Sequence, residues 1–395
     1  MPSGERIPVT VLGATGLVGR RLVERLVGHP WFELRFVAAS DRTVGQAYGG
    51  VCRSGQTPLP TEVERLIVQP CTPDVCDTPL VFSALDAGAA VGIEPRFAER
   101  GALVVSNASA YRMEPDVPLL IPEVNAHALD LLHQQRRNRG WSGGIVCNPN
   151  CVVAVAALAA YPLHRAAGIR RMEVTTLQAV SGAGYPGLAS IDIIANVIPW
   201  IEGEEEKIRF ETGRVLGASL AIGVQVNRVP VPHGHTACLA IECDRPVSEE
   251  EARALYAGYR VPVDIAALPS SPAQALAILP GHDRPQPALD AELGGGMTVS
   301  VGRIRGDAAL GIRLVACGHN LVRGAAGAAL LNAELVVSRG FLCQERFTWA
   351  PDGAILRATL STGLLHVHDG ASFHQDRPRL PRTRPSARGL PPRSA

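Results

Sequence analysis

A glycine-rich turn directly after a strand pattern is the feature that most constrains the fold of this chain. Residues 7–12 (IPVTVL) have the β-branched, apolar character of a buried strand, and the run GATGLVG follows at residues 13–19. Beyond it, apolar residues recur at helical spacing. Glycines at such a turn let the backbone approach a pyrophosphate and place that anion at a helix N-terminus. The sequence therefore predicts a dinucleotide site formed by Gly13, Thr15, Gly16, Leu17, Val18 and Gly19.

The strand and helix patterns divide the chain into two parts. In residues 1–150, strand patterns at 33–39, 80–84 and 102–106 alternate with helical stretches, which predicts a Rossmann-type parallel sheet. After an apolar helix pattern at 152–163, longer strand patterns follow at 172–180, 224–231, 237–243 and 297–304. The whole is thus predicted as an α/β protein whose second domain, residues 151–319, is α+β with a mixed or antiparallel sheet.

The C-terminal region contains one further helix pattern and a biased tail. The helix pattern covers residues 321–339, and we expect the segment 320–343 to complete the first domain. The last 20 residues hold six arginines and five prolines with little apolar content. Residues 344–395 are therefore predicted to be a disordered tail.

The overall composition argues against several classes of protein. A formal net charge of +1 with 19% charged residues does not favour nucleic-acid binding. No apolar run approaches the ~18 residues of a membrane span, and no signal-peptide pattern follows Met1. The nine cysteines lack the two-residue gap of zinc sites, so no structural metal is predicted. We expect a cytoplasmic enzyme that acts on a small molecule.

The end of the second predicted strand bears on the choice of cofactor. This stretch reads Ala-Ala-Ser40-Asp41-Arg42. The hydroxyl of Ser40 and the guanidinium of Arg42 suit the ribose 2′-phosphate of NADP, whereas Asp41 suits the free 2′-hydroxyl of NAD. We predict NADP, with NAD as the alternative.

One of the nine cysteines has the surroundings of a nucleophile. Cys151 ends the run Asn-Pro-Asn150-Cys151 directly before the apolar helix pattern. A helix N-terminus lowers the pKa of a thiol, and backbone amides near Asn150 and Cys151 could hold an oxyanion. A thiolate needs a base, and His235 lies in a glycine-containing bend after a strand pattern. The other cysteines are expected to be small buried hydrophobic residues.

Seven motifs occur in the order found in aspartate-semialdehyde dehydrogenases, which the chain resembles over residues 7–343. The match is to the archaeal and fungal-like branch. The motifs are residues 13–19 (GATGLVG), 106–113 (SNASAYRM), 148–151 (NPNC), 178–187 (QAVSGAGYPG), 203–207 (GEEEK), 228–235 (RVPVPHGH) and 319–327 (HNLVRGAAG). The resemblance implies that Cys151 is the nucleophile, His235 the acid/base, and Asn150 and Gln178 active-site residues. It also implies cofactor contacts from Ser181, Gly182 and Asn320, and a homodimer or homotetramer formed by the second domain.

The resemblance further implies a set of substrate contacts whose charges match L-aspartyl 4-phosphate. Arg228 would bind the α-carboxylate and Glu204 the ammonium, while Arg112 and Lys207 would meet the phosphate. Lys207 is the single lysine among 38 basic residues, so a compact ammonium is kept where arginine is otherwise used. Without the resemblance, the sequence would favour Glu204 and Lys207 as a solvent-exposed ion pair on the surface of a helix.

The implied activity is NADPH-dependent reduction of L-aspartyl 4-phosphate to L-aspartate 4-semialdehyde. One position departs from the family pattern, because His233 stands two residues before His235 where an aspartate is common. An exchange of roles between the two histidines therefore stays open. Three alternatives remain: a reductase of the malonyl-CoA type, a reductase of another acyl phosphate such as N-acetylglutamyl phosphate, and a non-catalytic NADP-binding protein.

Overall fold

The computed structural model describes residues 6–52, 58–342, 348–349 and 355–356. Its strands are β1 Ile7–Leu12, β2 Phe32–Ala39, β3 Gln69–Pro70, β4 Leu80–Ser83, β5 Leu103–Ser106, β6 Gly144–Cys147, β7 Ile169–Gln178, β8 Ala221–Arg228, β9 His235–Cys243, β10 Leu276–Ile278, β11 Val299–Asp307, β12 Gly311–Gly318, β13 Thr348–Trp349 and β14 Ile355–Leu356. The last two pair antiparallel within the range predicted as a disordered tail, and the rest of that tail lies outside the described residues.

The α-helices alternate with the strands of the first sheet and flank those of the second. They are α1 Leu17–Leu26, α2 Tyr48–Val51, α3 Thr61–Glu64, α4 Ala87–Glu99, α5 Pro122–Asn125, α6 Leu131–Arg139, α7 Cys151–Ala167, α8 Ser190–Ile193, α9 Glu204–Leu216, α10 Glu249–Ala257, α11 Val263–Ala266, α12 Pro287–Asp290 and α13 Gly327–Ser338. None of the helices in the described ranges is long and apolar enough to cross a bilayer.

The first sheet contains six parallel strands in the order β3-β2-β1-β4-β5-β6. All residues of β4, β5 and β6 are buried, as expected for parallel strands with both faces covered. The chain leaves β1 for β2 on one side and later returns to β4 on the other, which creates a crevice at the carboxyl ends of these strands. The predicted Rossmann-type sheet is confirmed, and the glycine-rich turn lies at this crevice.

The second sheet is mixed, in the order β10-β11-β12-β9-β7-β8. Strand β7 runs parallel to β8, β10 runs parallel to β11, and the other neighbours are antiparallel. The mixed alternative of the prediction is therefore correct. Strand β8 ends at Arg228, three residues before the predicted end, since Pro230 and Pro232 follow and have no N–H to donate.

Two helices connect this framework to the site. Helix α7 is buried along most of its length, as its Val, Ala and Leu content predicts, and it contacts β9 and β12. The predicted helix at 321–339 consists of a π-helical turn, Val322–Ala326, followed by α13. Helix α13 packs against strand β5 of the first sheet and against helix α1. The π-helical turn contacts α7.

Candidate active site

The glycine-rich turn between β1 and α1 requires residues without a side chain. Gly13 has a φ of 69°, and a Cβ there would lie 2.5 Å from the carbonyl oxygen of Ala84 at the end of β4. A Cβ at Gly19 would collide with the backbone of Gly13. The buried Tyr48 donates from Oη to the carbonyl oxygen of Ala14 at 2.8 Å, which holds the turn in place. The turn thus fits the close backbone approach that a dinucleotide phosphate needs.

The residues predicted to choose between NADP and NAD lie at the same edge of the sheet. Ser40, Asp41 and Arg42 follow β2, the neighbour of β1, and all three are exposed. They are accessible to a nucleotide bound at the turn.

Cys151 is the first residue of α7 and contacts His235. Asn150 caps the helix, with its Oδ1 accepting from the N–H of Val152 at 2.9 Å. The Sγ atom lies 3.1 Å from Nε2 of His235. Contrary to the expectation from the helix N-terminus, the pKa of the thiol is raised to about 12, first by burial and second by the negative charge of Glu204. Desolvation outweighs the helix terminus and the nearby charges of Arg112 and Arg228.

His235 begins β9 and is completely buried. Its Nδ1 accepts a hydrogen bond from the backbone N–H of Ala179 at 3.0 Å. Burial, followed by the positive charges of Arg228 and His319, lowers the pKa of the imidazole to about 3. The bend predicted from the sequence thus places the imidazole in the interior, where burial favours its neutral form.

A cavity of about 460 Å³ opens beside the thiol. Seven predicted residues line it: Asn150, Cys151, Gln178, Gly182, Glu204, Lys207 and Arg228. They come from the ends of elements, because α7 begins at Cys151, α9 begins at Glu204, and the parallel strands β7 and β8 end side by side at Gln178 and Arg228. Apolar side chains such as Leu188 and Trp200 complete the wall.

Glu204 connects two of the amide side chains at this cavity. Its Oε1 accepts from Nδ2 of Asn150 at 2.9 Å and from Nε2 of Gln178 at 3.1 Å. Glu204 is only 7% exposed, so its charge lies in a poorly solvated environment beside the thiol. The sequence analysis did not predict these hydrogen bonds to Asn150 and Gln178. They fix the orientation of the helix cap and of Gln178 at the same time.

Arg228 is held against the turn that follows β7. Its Nη1 donates to the carbonyl oxygen of Ala179 at 2.8 Å, and burial lowers the pKa of its guanidinium. A Cβ at Gly182 would lie 2.6 Å from that Nη1 and 3.2 Å from Nε2 of His235. Gly182 is thus required for the close approach of the backbone to both side chains.

Arg112 does not lie at the cavity, where the prediction placed it. Its Nη1 lies 3.1 Å from Oε1 of the buried Glu211, its Nη2 donates to the carbonyl oxygen of Asn107 at 2.6 Å, and it does not line the cavity. The other carboxylate oxygen of Glu211 accepts from the backbone N–H of Asn150 at 2.5 Å. The expectation that the amide of Asn150 could hold an oxyanion is therefore not met, and of the two amides expected to do so, the N–H of Cys151 remains.

Sequence reasoning missed Glu211. It lies seven residues after Glu204, two turns along α9, so both carboxylates lie on the same face of that helix. The signal available in the sequence was an acidic residue seven positions after Glu204, on the same face of the helix.

His233 does not contact the sulfur. Its Nδ1 lies 3.0 Å from Oγ of Ser181, its ring stacks on His319 with the ring centres 5.3 Å apart, and burial lowers its pKa. Asn320 donates to the same Oγ at 2.9 Å and accepts from the N–H of Gly234 at 2.9 Å. Of the two histidines, only His235 reaches Cys151 in this structure.

The nucleotide-binding fold, with a thiol–imidazole pair beside a cavity, is that of a nucleotide-dependent dehydrogenase. Residues 8–132 match the family model described as semialdehyde dehydrogenase, NAD binding domain, and residues 161–323 match semialdehyde dehydrogenase, dimerisation domain. The chain belongs to the aspartate-semialdehyde dehydrogenase family.

Relatives of that name come from archaea and fungi. The Archaeoglobus fulgidus protein is 46% identical over 342 residues, which cover 84% of this chain and 98% of the relative. The Cryptococcus neoformans protein is 40% identical over 359 residues, which cover 85% of this chain and 98% of the relative. The resemblance inferred from the seven motifs is confirmed.

Solved structures agree with the fold. The aspartate semialdehyde dehydrogenase of Candida albicans with NADP superposes with a TM-score of 0.77 at 36% identity and covers 85% of this chain and 99% of its own. Aspartate semialdehyde dehydrogenase II from Vibrio cholerae complexed with ASA has a TM-score of 0.70 at 27% identity, covering 86% and 100%.

Proposed function

We propose that the protein catalyses the reversible, NADPH-dependent reduction of L-aspartyl 4-phosphate to L-aspartate 4-semialdehyde, with release of phosphate. The observation that carries the proposal is the 3.1 Å contact between Sγ of Cys151 and Nε2 of His235, at a cavity that also contains Glu204, Lys207 and Arg228. The names of the relatives support the same substrate. The product is a precursor of lysine, threonine and methionine, so the enzyme belongs to their biosynthesis.

The cavity offers one charge for each charge of the substrate. Arg228 binds the α-carboxylate, Glu204 the ammonium and Lys207 the phosphate. Arg112 acts on the phosphate end through its charge, since its hydrogen bonds are directed to Glu211 and Asn107. A CoA thioester carries no ammonium for Glu204, which is why the malonyl-CoA alternative fits less well.

Catalysis proceeds through a thioester on Cys151. The thiol of Cys151 gives its proton to His235, the sulfur attacks the acyl carbon, and phosphate leaves as the thioester forms. The N–H of Cys151 at the start of α7 donates to the oxyanion that develops in this step. Gln178 and Asn150, both bonded to Glu204, position the acyl group. Bound NADPH supplies the hydride that reduces the thioester. The C–S bond then breaks as the aldehyde forms, and the sulfur recovers its proton from His235.

The same comparisons support the cofactor and the assembly that we propose. The glycine turn and the exposed Ser40 and Arg42 support NADP, as does the NADP in the Candida albicans structure. The dimerisation domain supports a homo-oligomer, which we assign as a dimer or tetramer in the cytoplasm. We divide the chain into a nucleotide-binding domain at 1–150, completed by 320–343, and a catalytic and dimerisation domain at 151–319.

The test is an oxidative assay with L-aspartate semialdehyde, with and without phosphate, and with NADP⁺ and NAD⁺ in turn. We expect phosphate-dependent formation of NADPH. Succinate semialdehyde lacks the amino group and leaves Glu204 unpaired, so we expect its kcat/KM to be lower by roughly 10³-fold. Glu204→Gln should shrink that ratio. Comparable values for the two aldehydes in the wild type, or a need for CoA in place of phosphate, would contradict the proposal.

A further inference from the structure

We propose that Glu211 is a positioning residue that holds the guanidinium of Arg112 and the backbone of Asn150 at a fixed separation. It thereby sets the place of Cys151 relative to the charge that meets the phosphate. Glu211 does not line the cavity, so it acts through these two partners rather than on the substrate. The proposal rests on the proposed function for the reaction that it affects, while the contacts that carry it belong to the free protein.

Each oxygen of the Glu211 carboxylate has a donor of its own. Oε1 accepts from Nη1 of Arg112 at 3.1 Å, and Oε2 accepts from the N–H of Asn150 at 2.5 Å. Two donors need two acceptors, which a carboxylate supplies and a carboxamide, with one oxygen and one NH₂ group, does not. Since Glu211 and Arg112 are buried, a lost partner is not readily replaced by water. Both oxygens of the glutamate are therefore used here.

Helix α9 holds each of these two segments at two points. Glu204, the first residue of the helix, accepts from Nδ2 of Asn150, and Glu211 accepts from the backbone N–H of the same asparagine. Arg214 donates from Nη1 to the carbonyl oxygen of Arg112 at 2.7 Å, and Glu211 binds the guanidinium of that arginine. Positions 204, 211 and 214 share one face of α9 because they are seven and three residues apart. Of these three residues, Glu211 is the one that contacts both segments.

The bond to Asn150 fixes the start of helix α7. Asn150 is the N-cap of that helix, and Cys151 follows it directly. Release of the asparagine N–H would let the cap turn and would move both the sulfur and the N–H of Cys151, which donates to the oxyanion in the proposed reaction. A displacement of about 1 Å at a reacting group costs on the order of 10²-fold in rate. Glu211 therefore affects the step that forms the thioester.

The bond to Arg112 fixes the charge at the phosphate end. Nη2 of this arginine donates to the carbonyl oxygen of Asn107 at 2.6 Å, and its buried Nε has no hydrogen-bond partner among the described residues. The guanidinium is thus oriented by Glu211 and Asn107 together. Without Glu211 it would keep one anchor and lose its counter-charge. Glu211 therefore affects phosphate recognition as well as the placement of Cys151.

The first test compares two variants without a charge at either position, because Glu211→Gln alone leaves a buried guanidinium unpaired. Arg112→Gln/Glu211→Gln keeps one good acceptor for the N–H of Asn150. Arg112→Gln/Glu211→Met replaces that oxygen by a thioether, a weak acceptor, in a side chain of similar length.

Both variants are mixed with L-aspartate semialdehyde and NADP⁺ in the absence of phosphate. The sulfur adds to the aldehyde carbon, hydride passes from that carbon to NADP⁺, a proton is released to solvent, and one NADPH forms per active site as the thioester appears. We expect the rate constant of this burst to be roughly 10²-fold lower in the methionine variant than in the glutamine variant.

The amplitude of the burst separates positioning from folding. It counts competent sites, so a merely structural role of Glu211 would lower the amplitude and leave the rate constant unchanged. Equal rate constants in the two variants would overturn the proposal. Glu206→Gln, at an exposed position of the same helix, is the control and should match the wild type in both quantities.

The KM for phosphate tests the bond to Arg112. Glu211→Gln should raise this KM roughly tenfold in the otherwise wild-type enzyme, but less than about twofold when Arg112→Gln is already present, because its effect passes through the guanidinium. Increases that multiply in the double variant would show that Glu211 acts independently of Arg112, and would overturn the proposal.

Hydrogen exchange at the amide of Asn150 tests the anchor without any substrate. We expect exchange to be faster by roughly tenfold or more in the methionine variant than in the glutamine variant, because a hydrogen-bonded amide exchanges only when its bond opens. Equal exchange would overturn the proposal. Wild-type enzyme without phosphate-dependent turnover would instead remove the proposed function, and the exchange rates would still report whether Glu211 anchors Asn150.

Discussion

The charged residues of the cavity differ mainly in their exposure to solvent. Glu204 and Arg228 are 7% and 6% exposed, whereas Lys207 is partly exposed. Burial also raises the pKa of the Cys151 thiol to about 12. The thiol therefore lies in the same poorly solvated environment as these two charged side chains.

Lys207→Arg tests the compact charge at the phosphate end. We expect the KM for phosphate to rise much more than the KM for the semialdehyde, because the broad guanidinium does not fit where the narrow ammonium does. Arg209→Lys, an exchange at an exposed position of the same helix, is the control and should leave both constants unchanged. Steady-state kinetics in the oxidative direction measure both. Unchanged kinetics for Lys207→Arg would make this lysine an ordinary surface residue.

Glu211→Gln tests the buried ion pair that Glu211 forms with Arg112. Glu211 is 2% exposed and neutralises Arg112, so its loss leaves a buried guanidinium without a counter-charge. We expect the free energy of unfolding to fall by about 3–5 kcal/mol. Denaturant titration measures this, with Glu206→Gln on the exposed side of α9 as control. A variant as stable as the control would show that the pair contributes little.

At the level of secondary-structure elements, the site is formed by the ends of helices and strands. Two helix N-termini and the carboxyl ends of two parallel strands meet at one cavity, and the 3₁₀ turn Val180–Ala183 covers it. The register that pairs Gln178 with Arg228 places both residues at the same edge of the second sheet. Small shifts of the covering turn would therefore disturb several groups at once.

Gly182→Ala tests this turn. The added Cβ would lie 2.6 Å from Nη1 of Arg228 and 3.1 Å from Cε1 of His235, and the buried Arg228 has little room to move. We expect kcat/KM to fall by roughly 10²-fold, the loss associated with displacing a catalytic group by about 1 Å. Gly92→Ala in α4, where a Cβ meets open space, is the matched control. Wild-type kcat/KM in Gly182→Ala would contradict the packing described here.

At the level of the whole molecule, residues 320–326, which follow the second sheet, complete the site. The π-helical turn packs against Cys151, and a Cβ at Gly324 would lie 2.6 Å from Cβ of that cysteine. Asn320 precedes this turn and bonds to Ser181 and Gly234. The residues around the thiol therefore come from widely separated parts of the chain.

Sequence reasoning predicted the local features better than the contacts between distant segments. The glycine turn, both sheets and the helix that begins at Cys151 follow from periodicity and residue type. Strands β3, β6, β10 and β12 were not predicted. Strands β3 and β10 have only two and three residues, and β12 begins and ends with glycine, which is depleted in strands. The bonds of Glu211 to Arg112 and Asn150, and the altered pKa values of Cys151 and His235, depend on tertiary burial, which one sequence does not reveal.

The central claim is that the acyl group of the substrate passes through a thioester on Cys151. The most direct measurement is intact-protein mass spectrometry after mixing the enzyme with L-aspartyl 4-phosphate in the absence of NADPH. We predict one added aspartyl group per chain, located on Cys151 by peptide mapping and removed when NADPH is added. Cys151→Ala should bind NADPH but acquire no adduct, and its turnover should fall by about 10⁴-fold or more. Absence of the adduct from active wild-type enzyme, or an adduct that forms equally in Cys151→Ala, would contradict the account.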